Sequence, residues 1–145
     1  INPLPLPDAL PTVSKSKTPM SSQSTLRDMG TVQRQIGQAE AIWGAARAYL
    51  HENHARLWEG ACKNLSLTPE ERIGVRLSST HAIRMAAEVV DIAYNLIGSS
   101  AIFGSNPIQR RFRDIHVITQ QVQGQMYHYD TAGQFFLGME PQGYS

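Results

Sequence analysis

From Thr31 to Leu137 the apolar residues recur every three or four positions, and nowhere do they alternate over a sustained stretch. That pattern confines the chain to helices. A 3.6-residue period gathers such residues on one helix face, whereas a half-buried strand needs a period of two. The first run, Val32, Ile36, Ala39, Ile42, Trp43, Ala46, Tyr49, Leu50, Leu57, Trp58 and Ala61, predicts one long helix. Asp28 or Thr31 is expected to cap it, and it should end near Lys63 to Ser66. Thr68-Pro69-Glu70-Glu71 is the plainest start signal: Thr68 caps, Pro69 suits the first helical position, and Glu71 completes a capping box. The helix behind it carries Ile73, Leu77, Met85, Val89, Val90, Ala93, Tyr94 and Ile97, and Gly98 is placed to stop it.

Residues 99–105 read as a short loop. Asn106-Pro107 then restarts a helix, with Ile108, Phe112, Ile115, Thr119 and Val122 as its stripe and Gly124 as its breaker. A last helix runs from Tyr127 to Leu137 and stops at Gly138. Four helices with short connections imply an all-α, up-down antiparallel bundle. Ahead of it Pro3, Pro5, Pro7, Pro11 and Pro19 forbid a regular helix, and Ser14 to Thr25 is polar and aperiodic. The expected organisation is an extended lead-in over 1–30, a bundle over 31–138 and a tail over 139–145. The start at Ile1 rather than Met is expected of a fragment or a processed product.

The charge balance gives no reason to expect a nucleic-acid or acidic-membrane partner, since 13 Lys and Arg against 12 Asp and Glu leave a net charge of +1. No stretch is long and charge-free enough to span a membrane, and no signal peptide is visible. One cysteine, Cys62, excludes an intrachain disulfide and a cysteine metal cluster. It reads as a small buried hydrophobe in a cytoplasmic protein.

Catalytic motifs are scarce. His51 and His54 share a helix face, but no third ligand has matching spacing, so they read as solvated and no metal is expected. His81 reads as a core histidine and His128 as partly exposed. Neither Ser78-Ser79 nor Ser99-Ser100 lies in a nucleophile elbow, and there is no phosphate or dinucleotide loop. In the helix after Pro107, Arg110 and Asp114 are spaced for an ion pair, and Arg113 and His116 are spaced as neighbours.

That last helix carries a family resemblance. The run from Gly98 to Gln120, GSSAIF and then PIQRRFRDIHVITQ, resembles the carboxy-terminal domain of the acyl-CoA dehydrogenase superfamily, in particular its two-component flavin-dependent monooxygenases. Thr31 to Ala41 resembles the opening of that domain's first helix. Tyr129, Gly133, Leu137 and Gly138 match its closing pattern. The resemblance covers roughly residues 12–138. It implies a bundle that follows an amino-terminal helical domain and a small β domain, both absent here.

It implies more about the site. Reduced flavin, as FMN or FAD, would lie between domains and between subunits, held largely by the absent parts. The bundle would form the core of a homotetramer, and a separate flavin reductase would supply the system. Ser99 and Ser100 fall where a neighbouring subunit's loop touches flavin, and Lys15 or Lys17 falls near an arginine that contacts the flavin phosphate. Gln121 stands where the monooxygenases carry a histidine close to flavin and substrate, and Val122 follows it as a further cofactor-facing position. Glutamine has no titrating group near neutral pH, so a proton-handling role is lost there while hydrogen bonding survives.

Straight-chain dehydrogenases of the superfamily often place a glutamate just after this helix. Between Arg113 and Met139 the only carboxylates are Asp114 and Asp130. The expected function is therefore the carboxy-terminal part of a flavin monooxygenase (hydroxylase) using O2, not a complete enzyme. The rival readings are the corresponding part of an acyl-CoA dehydrogenase and a non-catalytic oligomerisation module.

Overall fold

The computed structural model describes residues 25–141. Four α-helices account for most of them: α1 Gly30–Cys62, α2 Pro69–Ile97, α3 Pro107–Ile118 and α4 Tyr127–Phe136. Short 3-10 segments cover Leu26–Asp28, Gly98–Ile102 and Val122–Gly124, and no strand occurs among the described residues. The chain is all-α, as its periodicity requires. The proline-rich residues 1–24, with Lys15 and Lys17, lie outside the described residues.

α1 and α2 are 33 and 29 residues long and run antiparallel. Ile36 near the start of α1 packs against the cluster to which Ala93 and Ile97, near the end of α2, belong. At the other end Gly74 of α2 meets the side chain of Asn53 of α1 so closely that any Cβ would collide with it. Asn53 holds its place there by donating from Nδ2 to the Tyr49 carbonyl at 2.9 Å. The buried seam of α1 is narrower than its apolar stripe. Only Val32, Ala39 and Ala46 are buried, seven residues apart, and Trp58 is 71% exposed. Small alanines let the two axes approach, and the larger residues flank the seam half-buried.

α2 is the central element. Its buried residues Ile73, Ser78, Thr80, Ala87, Val89, Ala93 and Ile97 face more than one direction, because α1, α3 and α4 all pack against it. The best-formed apolar cluster joins Ala93 and Ile97 to Ala101 and Ile108, with Ile36, Val90 and Tyr94 around them. It fixes the turn between α2 and α3, since Ala101 in that turn is fully buried.

The helix ends follow from local chemistry. Thr68 and Glu71 form the capping box: the Glu71 N–H donates to Thr68 Oγ1 at 3.2 Å and the Thr68 N–H to Glu71 Oε2 at 2.8 Å. Asn106 caps α3 by accepting from the Ile108 N–H at 3.1 Å. Gly98 and Gly138 end α2 and α4 with φ of 63° and 71°. Asn64, at φ 52°, does the same work after α1: the Leu65 N–H reaches the Gly60 carbonyl at 3.0 Å and the Asn64 N–H the Ala61 carbonyl at 3.1 Å.

Three local expectations are corrected. Neither Asp28 nor Thr31 caps α1; Met29 holds that position with no side-chain bond, because Asp28 accepts instead from Thr25 Oγ1 at 2.6 Å. Residues 98–102 wind as a 3-10 helix rather than an open loop. Cys62 is exposed rather than buried, because it closes α1 beyond the seam. Replacing Thr68 by alanine removes one half of the capping box and is expected to cost about 1 kcal/mol. Chemical denaturation followed by circular dichroism checks this; an unchanged midpoint would contradict it.

Candidate functional site

The turn between α3 and α4 carries the residue that the resemblance singles out. α3 stops at Ile118, earlier than its stripe suggests, and Val122 belongs to the following 3-10 segment instead of the helix. Between them Gln121 takes an extended conformation, φ −67° and ψ 157°. The turn closes tightly on itself. A Cβ on Gly124 would lie 2.8 Å from the Thr119 carbonyl oxygen, so only glycine fits. Gln121 and Val122 are both exposed, Val122 to 62%.

Beneath these exposed side chains the backbone carbonyls of the turn are engaged. The Gln120 carbonyl accepts from Gln125 Nε2 at 2.8 Å, the Gln121 carbonyl from the Gly124 N–H at 2.9 Å, and the Val122 carbonyl from the Gln125 N–H at 3.2 Å. Two buried side chains add to this. Thr80 Oγ1 donates to the Gln123 carbonyl at 2.7 Å, and His128 Nε2 donates to the Val122 carbonyl at 2.7 Å. Arg84 Nη2 reaches toward the Thr119 carbonyl at 3.5 Å, at the edge of a useful bond. His128 is 4% exposed, which corrects the expectation of a partly exposed ring. The carbonyl it must meet draws it inward, since a carbonyl only accepts and Nε2 therefore carries the hydrogen.

Beside the turn a cleft of about 410 Å³ opens between α2 and Val122, lined also by Arg72, Val75, Arg76, Ser79 and His128. On the far side of α2, His81 Nδ1 lies 3.2 Å from the Tyr129 hydroxyl, with the Tyr49 ring edge-on to His81. His81 is half-buried rather than a core residue, and its ring is tied between helices. Burial pushes the Tyr129 phenol above its ordinary value of 10.0; nearby Arg84 opposes that shift and Tyr49 adds to it.

Ser99 and Ser100 lie elsewhere. Ser99 is exposed and Ser100 half-buried, flanking the buried Ala101. Asn106 Nδ2 donates to the Ser100 carbonyl at 3.3 Å and so ties this segment to the cap of α3. Thr80, which holds the Gln121 turn, and Gly98 are 18 positions apart along α2, about 27 Å of helix rise. The structure thus brings Gln121 and Val122 together and Ser99 and Ser100 together, but not the two pairs. Lys17 lies outside the described residues.

The remaining candidates behave as surface or packing groups. Arg110 Nε and Asp114 Oδ2 are 3.5 Å apart, but both side chains are largely exposed, so the pair adds a few tenths of a kcal/mol at most. His116 does not turn to Arg113. It crosses to α2, where Nε2 sits 2.9 Å from Asp91 Oδ1, and its ring packs on Phe112. His51 and His54 are exposed, and His54 Nδ1 is taken by the Leu50 carbonyl at 2.9 Å. No group of three metal-ligating side chains occurs among the described residues, and no described helix is long and apolar enough to cross a membrane. Sequence reasoning missed Thr80 and His128. The only available signal was a run of three hydroxyl residues, 78–80, in a helix interior.

Comparison with known proteins places this arrangement. The family model for the acyl-CoA dehydrogenase C-terminal domain matches residues 8–125. The chain belongs to that family. An indole-3-acetate monooxygenase of Pseudomonas putida is 32% identical over 92% of the chain, and one of Acinetobacter baumannii 26% over 89%. A pigment production hydroxylase of Rhodococcus erythropolis is 33% identical over 74% of the chain. The chain spans only about a third of these relatives: 34%, 33% and 28% of their lengths. Among solved structures, XiaF from Streptomyces sp., in complex with FADH2 and glycerol, superposes with a TM-score of 0.86 at 20% identity, over 94% of this chain and 36% of that one. At that identity the likeness establishes the fold.

Two outcomes test the site. Gly124→Ala must displace the Thr119 backbone and is expected to destabilise the chain by about 1–3 kcal/mol, read as a lowered denaturation midpoint. For Tyr129, a folded pKa above the unfolded one makes stability full below pH 10 and lost as pH rises beyond it. Tyr129→Phe should therefore flatten the fall of melting temperature above pH 10. An unchanged slope would contradict the assignment.

Proposed function

We propose that this chain is the carboxy-terminal helical part of a flavin-dependent monooxygenase, a hydroxylase that uses reduced flavin and O2. The observation that carries the reading is the turn at Gln121. It presents one amide and one apolar side chain to the outside, on a backbone whose carbonyls at residues 120–123 are all hydrogen-bonded. The named activities of the relatives, all monooxygenases or hydroxylases, support it.

The residues present fit a flavin ring. Gln121 offers a donor and an acceptor to the ring's polar edge, and exposed Val122 offers apolar surface to its face. Reduced flavin, when bound, would activate O2 and deliver one oxygen atom to the substrate. This chain's part is to orient and to exclude water. Gln121 holds a hydrogen-bond position without moving a proton, because its amide does not titrate near neutral pH. The choice between FMN and FAD falls to the domains that would hold most of the flavin.

Ser99 and Ser100, some 27 Å along α2 from the Gln121 turn, serve a second contact. In this reading they touch flavin bound by a neighbouring copy, and Lys17 meets a flavin phosphate. Most of the exposed large apolar side chains follow Gly98, among them Ile102, Phe103, Val117, Phe136 and Leu137. Such surface suits subunit contacts, and a homotetramer is the assembly proposed. A separate reductase would provide the reduced flavin, in the cytoplasm. The bundle over 31–138 is the functional unit, with the lead-in and tail attached to it.

The test is binding and turnover. The isolated chain should bind oxidised or reduced flavin weakly or not at all in a fluorescence titration. The same chain joined to flavin-holding domains should consume O2 when reduced flavin is supplied. Tight stoichiometric binding by the isolated chain would overturn the reading. Activity toward an acyl-CoA with an artificial electron acceptor and no oxygen would select the dehydrogenase branch instead.

A further inference from the structure

We propose that Thr80 and His128 are positioning residues that set Gln121 and Val122 in place by gripping the backbone beneath them. The proposal rests on the reading of Gln121 and Val122 as flavin-facing. Its physical content, a clamp on the turn, can be tested without flavin.

Three hydroxyl residues stand in a row on α2. Ser78 and Ser79 spend their hydroxyls inside the helix, donating to the Val75 carbonyl at 3.1 and 2.7 Å. That is the usual choice for Ser or Thr in a helix interior. Thr80 breaks the pattern. Its hydroxyl leaves α2 and crosses 43 positions of sequence to the Gln123 carbonyl at 2.7 Å. Thr80 is fully buried.

His128 grips the same turn from another helix. It sits in the first turn of α4, and Nε2 reaches back to the Val122 carbonyl. A helix-forming residue could sit here without any such contact, because α4 has no side-chain cap to preserve. The two bonds land on consecutive carbonyls, Val122 and Gln123, and come from different helices. Together they fix two successive peptides, Val122–Gln123 and Gln123–Gly124. The residues just before them follow, because Gly124 leaves no room for the turn to relax against Thr119. An irregular segment would otherwise sample many conformations. Here its exposed side chains inherit the rigidity of α2.

Thr80→Val keeps the shape and deletes the hydroxyl, leaving the Gln123 carbonyl without that partner. Amide hydrogen exchange of the 145-residue chain is the readout. Exchange at residues 120–125 should accelerate about tenfold, with α1 and the first half of α2 unchanged, and Thr80→Ser should return it near the parent value. His128→Phe should loosen the same amides, and His128→Gln should restore part of the protection. Uniform acceleration across all helices, or none, would overturn the clamp. So would failure of Thr80→Ser to rescue. If Thr80→Val does not fold, the two His128 variants decide the matter by the same exchange pattern. In flavin-loaded protein, Thr80→Val should raise peroxide released per hydroxylated product several-fold. An unchanged ratio there, beside accelerated exchange, would overturn the link to flavin. If the chain joined to its flavin-holding domains never binds flavin, the earlier reading fails and the exchange result stands.

Discussion

Everything in this structure depends on the burial of α2. It is the one helix that α1, α3 and α4 all contact, and no pair of the others could close a core without it. Its sequence reflects that position. Ile73, Val89, Ala93 and Ile97 supply apolar burial, while the fully buried Ser78 and Thr80 supply hydrogen bonds. Buried hydroxyls are tolerable only because each has a carbonyl to donate to.

In the proposed reading, that arrangement spreads the contact points along one rod. Near its middle α2 holds the turn that presents Gln121; at its carboxy-terminal end it carries the segment with Ser99 and Ser100. The separation follows from helix rise alone, so two contact points on one chain cannot share one small ring. A site made of such pieces needs other polypeptide, which agrees with a chain covering about a third of its relatives' length.

The periodic stripes located α1 to α4, and the capping chemistry of Thr68, Glu71, Asn106, Gly98 and Gly138 located their ends. These were legible because each rests on interactions within a few residues. The stripe of α1 overstated its core: Trp58 shares the period but projects beyond the seam. Periodicity reports which face a residue is on, not how far the partner helix extends. For the same reason Cys62 is exposed. The burial of His128 was not legible, because it is set by a carbonyl six residues earlier whose direction only the folded turn defines.

The sequence by itself determined an all-α fold and its helix boundaries to within a few residues. Those are properties of local spacing and residue chemistry. The tertiary structure decided which stripes meet, that Thr80 donates out of its helix, and that Gln121 and Val122 stand apart from Ser99 and Ser100. Such facts depend on contacts between residues far apart in sequence, 43 positions for Thr80 and Gln123. No local rule encodes them, because the free energy that selects them arises only when distant faces are buried together.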